Sequence, residues 1–339
     1  MGIGTKDVHA SWKWYRRNFG FDVPVFDEAA EAPLMTKYTG GKVHARHAIL
    51  AMNLNGGGGM EIWQFTSRES ADQHKFSLWK NGLLVTKIKC RDAKMGHESL
   101  ADQKLGAVCK DPSGKNCFSV IDHFGNPFIA SETEHWYQKK HSIFGGIEGV
   151  MIGVSDMDKS IEFYKDVLEI DEVIYDKTGV FEDLASLTDG DKEFRRVRLQ
   201  PSNRNSGAFS DVFGMFHIEL LQPINADSKP HNLEGRFWGD QGYIHLCFDV
   251  NEMGSIKTRA EKLNSPFTVD SGDTFSMGEA AGRFAYLEDP DGSLIELVET
   301  DKITVSKKLN WFLTLSKKRK KKPLPRWLFS VMALNRVKD

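Results

Sequence analysis

The feature that most restricts how this 339-residue chain can fold is an internal repeat, displaced by 149 residues. The segment GIGTKDVHASWKWY at residues 2–15 returns as MIGVSDMDKSIEFY at 151–164. A missed repeat misassigns a whole fold, so it is read first. Each copy has the form of a strand end, an Asp or Ser/Thr cap, and a short amphipathic helix closing near Phe19-Gly20 or Leu168-Glu169. Downstream, Met60–Gln64 answers His217–Gln222 as a short β run after a glycine-containing turn. Two further units begin at Leu83–Asp92 and Tyr243–Glu252, strands that run into helices expected over 94–104 and 254–263. Each of these ends in a glycine-centred hairpin, DHFGNP at 122–127 and DPDGSL at 289–294. The order is strand, helix, three strands, four times over. This predicts an α+β chain of four βαβββ modules in two mixed-sheet domains. The polar stretch Glu132–Gly146 is the natural boundary, which gives domains over 1–131 and 147–300, a linker over 132–146, and a tail over 301–339.

Composition agrees with two cores: 40% of residues are hydrophobic, and 11% aromatics with 30 glycines suit sheets and tight turns. No apolar run approaches the roughly 20 residues of a membrane span, and the N-terminus lacks a basic stretch followed by a hydrophobic core. A cytoplasmic location is expected. Cys90, Cys109, Cys117 and Cys247 show no CxxC spacing, and three lie in strand-like segments, so reduced thiols are expected rather than a zinc cluster or disulfides. The net charge of −2 hides an asymmetry, because residues 306–339 carry eleven Lys/Arg and only Asp339 against them. The body is therefore acidic, and no nucleic-acid partner is expected.

The stretches Gly149–Tyr164 and Gly282–Glu299, above all LEDPDGSLIE at 287–296, resemble the vicinal oxygen chelate superfamily of glyoxalases, bleomycin-resistance proteins and extradiol dioxygenases. The resemblance covers residues 1 to about 300, most strongly in the second half. It implies cups of eight strands, with ligand positions on the first and last strand of each module. On that correspondence His245, Glu296 and Glu219 become the expected metal ligands, with Glu219 and Glu296 as the catalytic carboxylates. Two carboxylates and one imidazole suit a hard or borderline divalent ion, whether Zn, Ni, Mn, Co or Fe. The fourth position falls on Gly149, which offers no side chain, and Glu148 beside it points to the other face unless a bulge intervenes. In the N-terminal half only Glu61 is of ligand type, while Val85 and Ile129 replace His and Glu, so that half is expected to be metal-free. A site of this kind would chelate a small substrate through adjacent oxygens and support lyase or isomerase chemistry. An iron-dependent ring-cleaving dioxygenase and a non-catalytic small-molecule binder are the alternatives. The former needs a second His where Gly149 stands.

Other candidates carry less. His217 is expected to line the pocket or support a ligand, and His44 and His47, three apart on a strand, face opposite sides. The run Gly56–Gly59 lacks the Lys-Ser/Thr of a phosphate loop and reads as a flexible hairpin turn. In the tail, Leu324, Trp327, Leu328, Val331 and Met332 fall on one helical face after Pro323-Leu324-Pro325. The block Lys317–Lys322 precedes it. The apolar face is expected to pack on the body with the basic block solvated. A second possibility is peripheral contact of 306–339 with an anionic membrane through Trp327 and Phe329.

Overall fold

The computed structural model describes every residue except 74, 139–141, 204–205, 226–229, 273–274, 278–279, 307–308 and 339; Lys307, Lys308 and part of the expected linker thus lie outside the described residues. The repeat appears as matched local chemistry. Asp7 accepts from the amides of His9 and Ala10 to start α1 (Val8–Phe19), and Asp156 accepts from that of Lys159 to start α3 (Met157–Leu168). Both helices end on a left-handed residue, Gly20 at φ 71° and Glu169 at φ 57°.

The first module comprises β1 (Gly2–Gly4), α1, β2 (Val23–Glu31), β3 (Ala45–Met52) and β4 (Met60–Phe65). The second comprises β5 (Gly82–Cys90), α2 (Ala93–Ser99), the short strands β6 (Lys104–Leu105) and β7 (Cys109–Lys110), β8 (Asn116–Ile121) and β9 (Pro127–Glu132). The third runs through β10 (Phe144–Gly153), α3, β11 (Glu172–Gly179), β12 (Phe194–Gln200), a turn of helix α4 (Ser210–Phe213) and β13 (His217–Pro223). The fourth runs through β14 (Gly242–Asp249), α5 (Met253–Lys262), β15 (Val269–Asp270), β16 (Phe275–Met277), β17 (Ala280–Glu288) and β18 (Leu294–Ser306). The tail adds β19 (Trp311–Thr314), α6 (Lys317–Lys320) and α7 (Arg326–Met332). The second helix is shorter than the expected 94–104.

The sheets do not follow the expected division of the chain. One has the order β15-β17-β18-β14-β1-β4-β3-β2 and joins modules one and four; the other, β11-β12-β13-β10-β5-β9-β8-β6, joins modules two and three. The joints are antiparallel, with Gly2 opposite His245 between β1 and β14, and Met151 opposite Val85 between β10 and β5. Residues 1–131 and 147–300 are therefore not separate cups, and each cup takes one module from each half. The physical reason is that a repeat marks the units without stating which strand edges meet. Modules two and three pair through β5 and β10, which leaves the first and last modules to pair.

One continuous core holds both sheets. Trp12, Tyr15 and Phe19 of α1, Phe163 and Tyr164 of α3, and Ile256 of α5 bury against Ile49 and Ile62 of one sheet and Ile88, Phe128 and Ile218 of the other. Two matched hydrogen bonds cross-link it: Tyr15 Oη donates to Asp122 Oδ2 at 2.5 Å and Tyr164 Oη to Asp289 Oδ2 at 2.8 Å. The Gly56–Gly59 run is indeed a turn, but a packed one. Gly58 and Ile147 exchange backbone hydrogen bonds at 2.7 and 3.0 Å, and a Cβ on Gly57 would lie 2.5 Å from the Gly146 carbonyl carbon.

Among the described residues, no helix is long and apolar enough to cross a membrane. The tail lies on the body as expected, with Leu324, Leu328, Phe329 and Met332 buried against Val23, Met52, Tyr137, Val212 and Val305. Two details differ. Phe329 is buried while Trp327 is 53% exposed, and the basic block is only partly solvated. Lys320 is drawn in to Glu299 at 3.1 Å and Asp301 at 2.6 Å, and Lys321 pairs with Glu252 at 2.5 Å. All four cysteines are free thiols, Cys90 and Cys117 buried and Cys109 and Cys247 half-buried.

Candidate metal centre

The two cups have different interiors. In the cup of modules two and three, Phe181, Leu184 and Leu187 from the loop after β11 fill the concave face against Val85, Ile129 and Met151. Val85 and Ile129 are the positions where ligands were already expected to be missing, and they serve here as core. The cup of modules one and four opens instead into a cavity of about 1140 Å³ that runs on along module three past Glu148, Gly149 and His217, at the generous end for small-molecule sites. Its wall includes Phe26, Met35, Leu50, Trp63, Trp238 and Phe284, with Arg46, Glu61 and Glu296 as polar groups.

Glu61 and Glu296 line the base of this cavity, with His245 buried behind them. The pairing of β1 with β14 on one side and β4 on the other brings Glu61 across from His245, and β18, paired with β14, supplies Glu296. His245 Nε2 lies 3.0 Å from Glu61 Oε2 and 3.2 Å from Glu296 Oε2. The ring is fully buried, and its Nε2 makes no well-directed hydrogen bond. Burial alone would raise the Glu61 carboxyl, but His245 beside it, helped by Arg46, holds it below its ordinary value. Glu296 goes the other way, pushed up by burial and by the charge of Glu61 despite His245. Cys247, in register with Glu296, has its thiol pushed well up by burial and by that carboxylate.

These residues fit a divalent ion. Ligand atoms about 2.0–2.2 Å from a common centre are separated by roughly 3.0–3.5 Å, and the observed 3.0 and 3.2 Å fall in that interval. The far nitrogen of the imidazole is also provided for. Trp238 Nε1 lies 3.3 Å and Tyr286 Oη 3.4 Å from His245 Nδ1, which fixes the ring plane. The indole can only donate, so in the metal-free centre Nδ1 accepts and Nε2 carries the proton between the carboxylates. Tyr286 can accept from Nδ1–H when Nε2 turns its lone pair to a cation.

Glu219 is not part of this centre, contrary to the sequence-based expectation. It sits on β13 in the other sheet, fully buried, with its Oε1 2.5 Å from Lys87 Nζ and its Oε2 2.9 Å from Arg196 Nε. Arg196 in turn holds Asp183 through two hydrogen bonds at 2.7 and 2.8 Å. Burial would raise the Glu219 carboxyl, but Arg196 and Lys87 hold it well below its usual range. The ammonium of Lys87 thus supplies the positive charge that an ion would bring in the first cup. The residue that takes Glu219's expected place is Glu61, its counterpart in the repeat. The Met60–Gln64 match to His217–Gln222 contained that signal, and the assumption that consecutive modules share a cup concealed it.

The remaining candidates resolve simply. Gly149 faces His217, and a Cβ there would lie 2.6 Å from His217 Nε2, so glycine admits the ring. His217 stands in the second cup, 3.6 Å from Glu219 and held by Arg198 at its Nδ1. Burial and the neighbouring Arg198 and Lys87 keep its imidazole neutral, well below the usual pKa. Glu148 is buried, with its carboxyl pushed up by burial. His44 contacts Ser67, apart from His47.

Comparison with known proteins agrees with this architecture. Residues 146–297 match the model of the Glyoxalase/Bleomycin resistance protein/Dioxygenase superfamily. The match is confined to that segment. Glyoxalase I from Zea mays superposes with a TM-score of 0.56 at 14% identity, over 88% of this chain and 89% of that one. A putative dioxygenase from Bacillus subtilis superposes with a TM-score of 0.53 at 12% identity, over 88% of this chain and 83% of that one. At such identities the shared property is the fold, and it extends across both halves of the chain. No curated protein matches.

Proposed function

We propose that this protein is a metal-dependent enzyme of lyase or isomerase type, holding one divalent ion through Glu61, His245 and Glu296 and acting on a small substrate with two adjacent oxygens. The observation that carries this reading is the convergence of two carboxylates on the buried Nε2 of His245 at 3.0 and 3.2 Å, at the base of an aromatic cavity. When bound, the ion supplies Lewis acidity to a substrate carbonyl. Glu296, whose carboxyl is pushed up by burial and by the charge of Glu61, is the group that would take a proton from the carbon α to that carbonyl. Trp238 and Tyr286 keep the imidazole plane fixed, and Trp63 and Phe284 keep water from the reacting carbon.

The donor set favours this over ring-cleaving oxygen chemistry, which uses two imidazoles and one carboxylate around iron. Elemental analysis of the full chain purified without chelator tests the proposal. One ion is expected at this centre, so His245→Ala and Glu61→Gln should each contain one equivalent fewer than the wild type. Full metal content in both variants, or no uptake of Zn, Ni, Mn, Co or Fe by the wild type, would overturn it and favour a non-catalytic binder in the same cavity.

A further inference from the structure

A second group of metal-type donors lies on the outside of the first sheet. His9 is on the first turn of α1, Asp27 on β2 and His47 on β3. In the antiparallel pairing of β2 with β3, His47 lies opposite Ala29, so Asp27 is its diagonal neighbour on the same face. Such neighbours are within reach of long side chains, and His47 Nε2 is 2.7 Å from Asp27 Oδ1. The helix brings the third donor. The His9 ring stands edge-on to that of His47 with centroids 5.0 Å apart, and one donor atom from each of the three side chains lies within 4.8 Å of the others.

Two of the three backbones are fixed by sheet pairing. The third is fixed by the cap, because the His9 amide donates to Asp7 Oδ1 at 3.1 Å. Little ordering remains to be done when an ion binds, and that lowers the entropic cost of assembling a site. His47 is half-buried, its side chain 24% exposed, while His9 and Asp27 are exposed. The site faces away from the cavity. On β3 the preceding residue, Arg46, lines the cavity wall, while His47 points to the opposite face.

We propose that His9, Asp27 and His47 form a second divalent-metal site, selective for borderline transition ions such as Zn(II), Co(II) or Ni(II) over Mg(II) and Ca(II). Two imidazoles and one carboxylate give that preference, and the remaining coordination positions belong to water. A bound ion joins the N-terminal turn of α1 to the β2–β3 hairpin, the outer wall of the cavity. It therefore stabilises that wall without touching the cavity centre.

The test uses the full chain, stripped with chelator and titrated calorimetrically with Zn(II), with Co(II) as a spectroscopic probe. His245→Ala should retain one equivalent, and adding His9→Ala and His47→Ala to it should remove that equivalent. In the wild-type background, His9→Ala/His47→Ala should lose one equivalent and keep the cavity ion. Should the cavity hold no metal at all, the wild type binds one equivalent and the surface double variant binds none, so the two readings fail separately. His9→Ala/His47→Ala binding as much Zn(II) as the wild type, with an unchanged Co(II) spectrum, would overturn the proposal. Circular dichroism of the double variant confirms folding, which is expected because both rings are at the surface.

Discussion

Replacing Glu219 distinguishes a metal ligand from the centre of a buried ion network. Glu219, Lys87 and Arg196 are all fully buried, and Asp183 nearly so, with two cations facing two anions. Glu219→Gln leaves Lys87 and Arg196 with Asp183 alone, one buried positive charge uncompensated. Breaking such a network from one side costs about 3–5 kcal/mol. At about 2–4 °C per kcal/mol for a cooperative unit of this size, the melting temperature should fall by roughly 10 °C. The double change Lys87→Met/Glu219→Met removes one charge of each sign and keeps the Arg196–Asp183 pair, so it should cost less than Glu219→Gln alone. Acid denaturation supplies an independent sign. Because the folded-state carboxyl is held below its ordinary value of 4.5, its contribution is fully present above that pH and is lost as pH falls through the lower folded value. Glu219→Gln should therefore flatten the acid limb of the stability curve. Calorimetry, urea midpoints at several pH values and metal analysis test this together. Loss of metal with an unchanged melting temperature would refute the network reading and restore Glu219 as a ligand.

Three further outcomes are expected. Burial raises the Asp289 carboxyl to about 6, against the opposing hydrogen bonds from Ser293 and Tyr164, so the folded state binds the proton more tightly and stability falls as pH rises from about 4 to 6; urea midpoints for Asp289→Asn should lack that fall. Gly149→Ala drives a methyl group to within 2.6 Å of His217 Nε2 and should cost about 1–3 kcal/mol as overpacking, seen as a lower melting temperature with metal content unchanged. Phe329→Ala should cost about 3–5 kcal/mol because the ring is buried between the tail and the body, and a melting temperature equal to wild type would show that the tail is not docked.

How much could be read from the sequence varied with the range of the interaction involved. Capped helices and glycine turns depend on residues within a few positions, so Asp7, Asp156 and the two Asp-led hairpins marked all four modules. His245 and Glu296 were legible because both lie in the module whose motif is strongest. Glu61 was visible as a ligand type but was assigned to a metal-free half. Its approach to His245 depends on β1 pairing with β14, a contact between residues 243 positions apart in the Gly2–His245 register, and such edge choices leave no local mark. Glu219 failed for the complementary reason. A carboxylate on a lining strand needs a cation, but whether that is an ion or Lys87 is decided by a strand far away in sequence.

The pairing that hid the site also governs how the site can be held. A cup built from consecutive modules would leave each half of the chain with its own centre, and the halves could fold and bind metal separately. Here Glu61 reaches His245 only because the first module is laid against the last, while modules two and three, lying between them in sequence, fill their own concave face with Phe181, Leu184 and Leu187. Tyr15–Asp122 and Tyr164–Asp289 each join a helix beside one module to the hairpin of the next, across the two sheets. The second cup therefore acts on the first through structure: it keeps the ends of the chain together in the register that brings two carboxylates to one imidazole. It does so with an ion network and a hydrophobic plug.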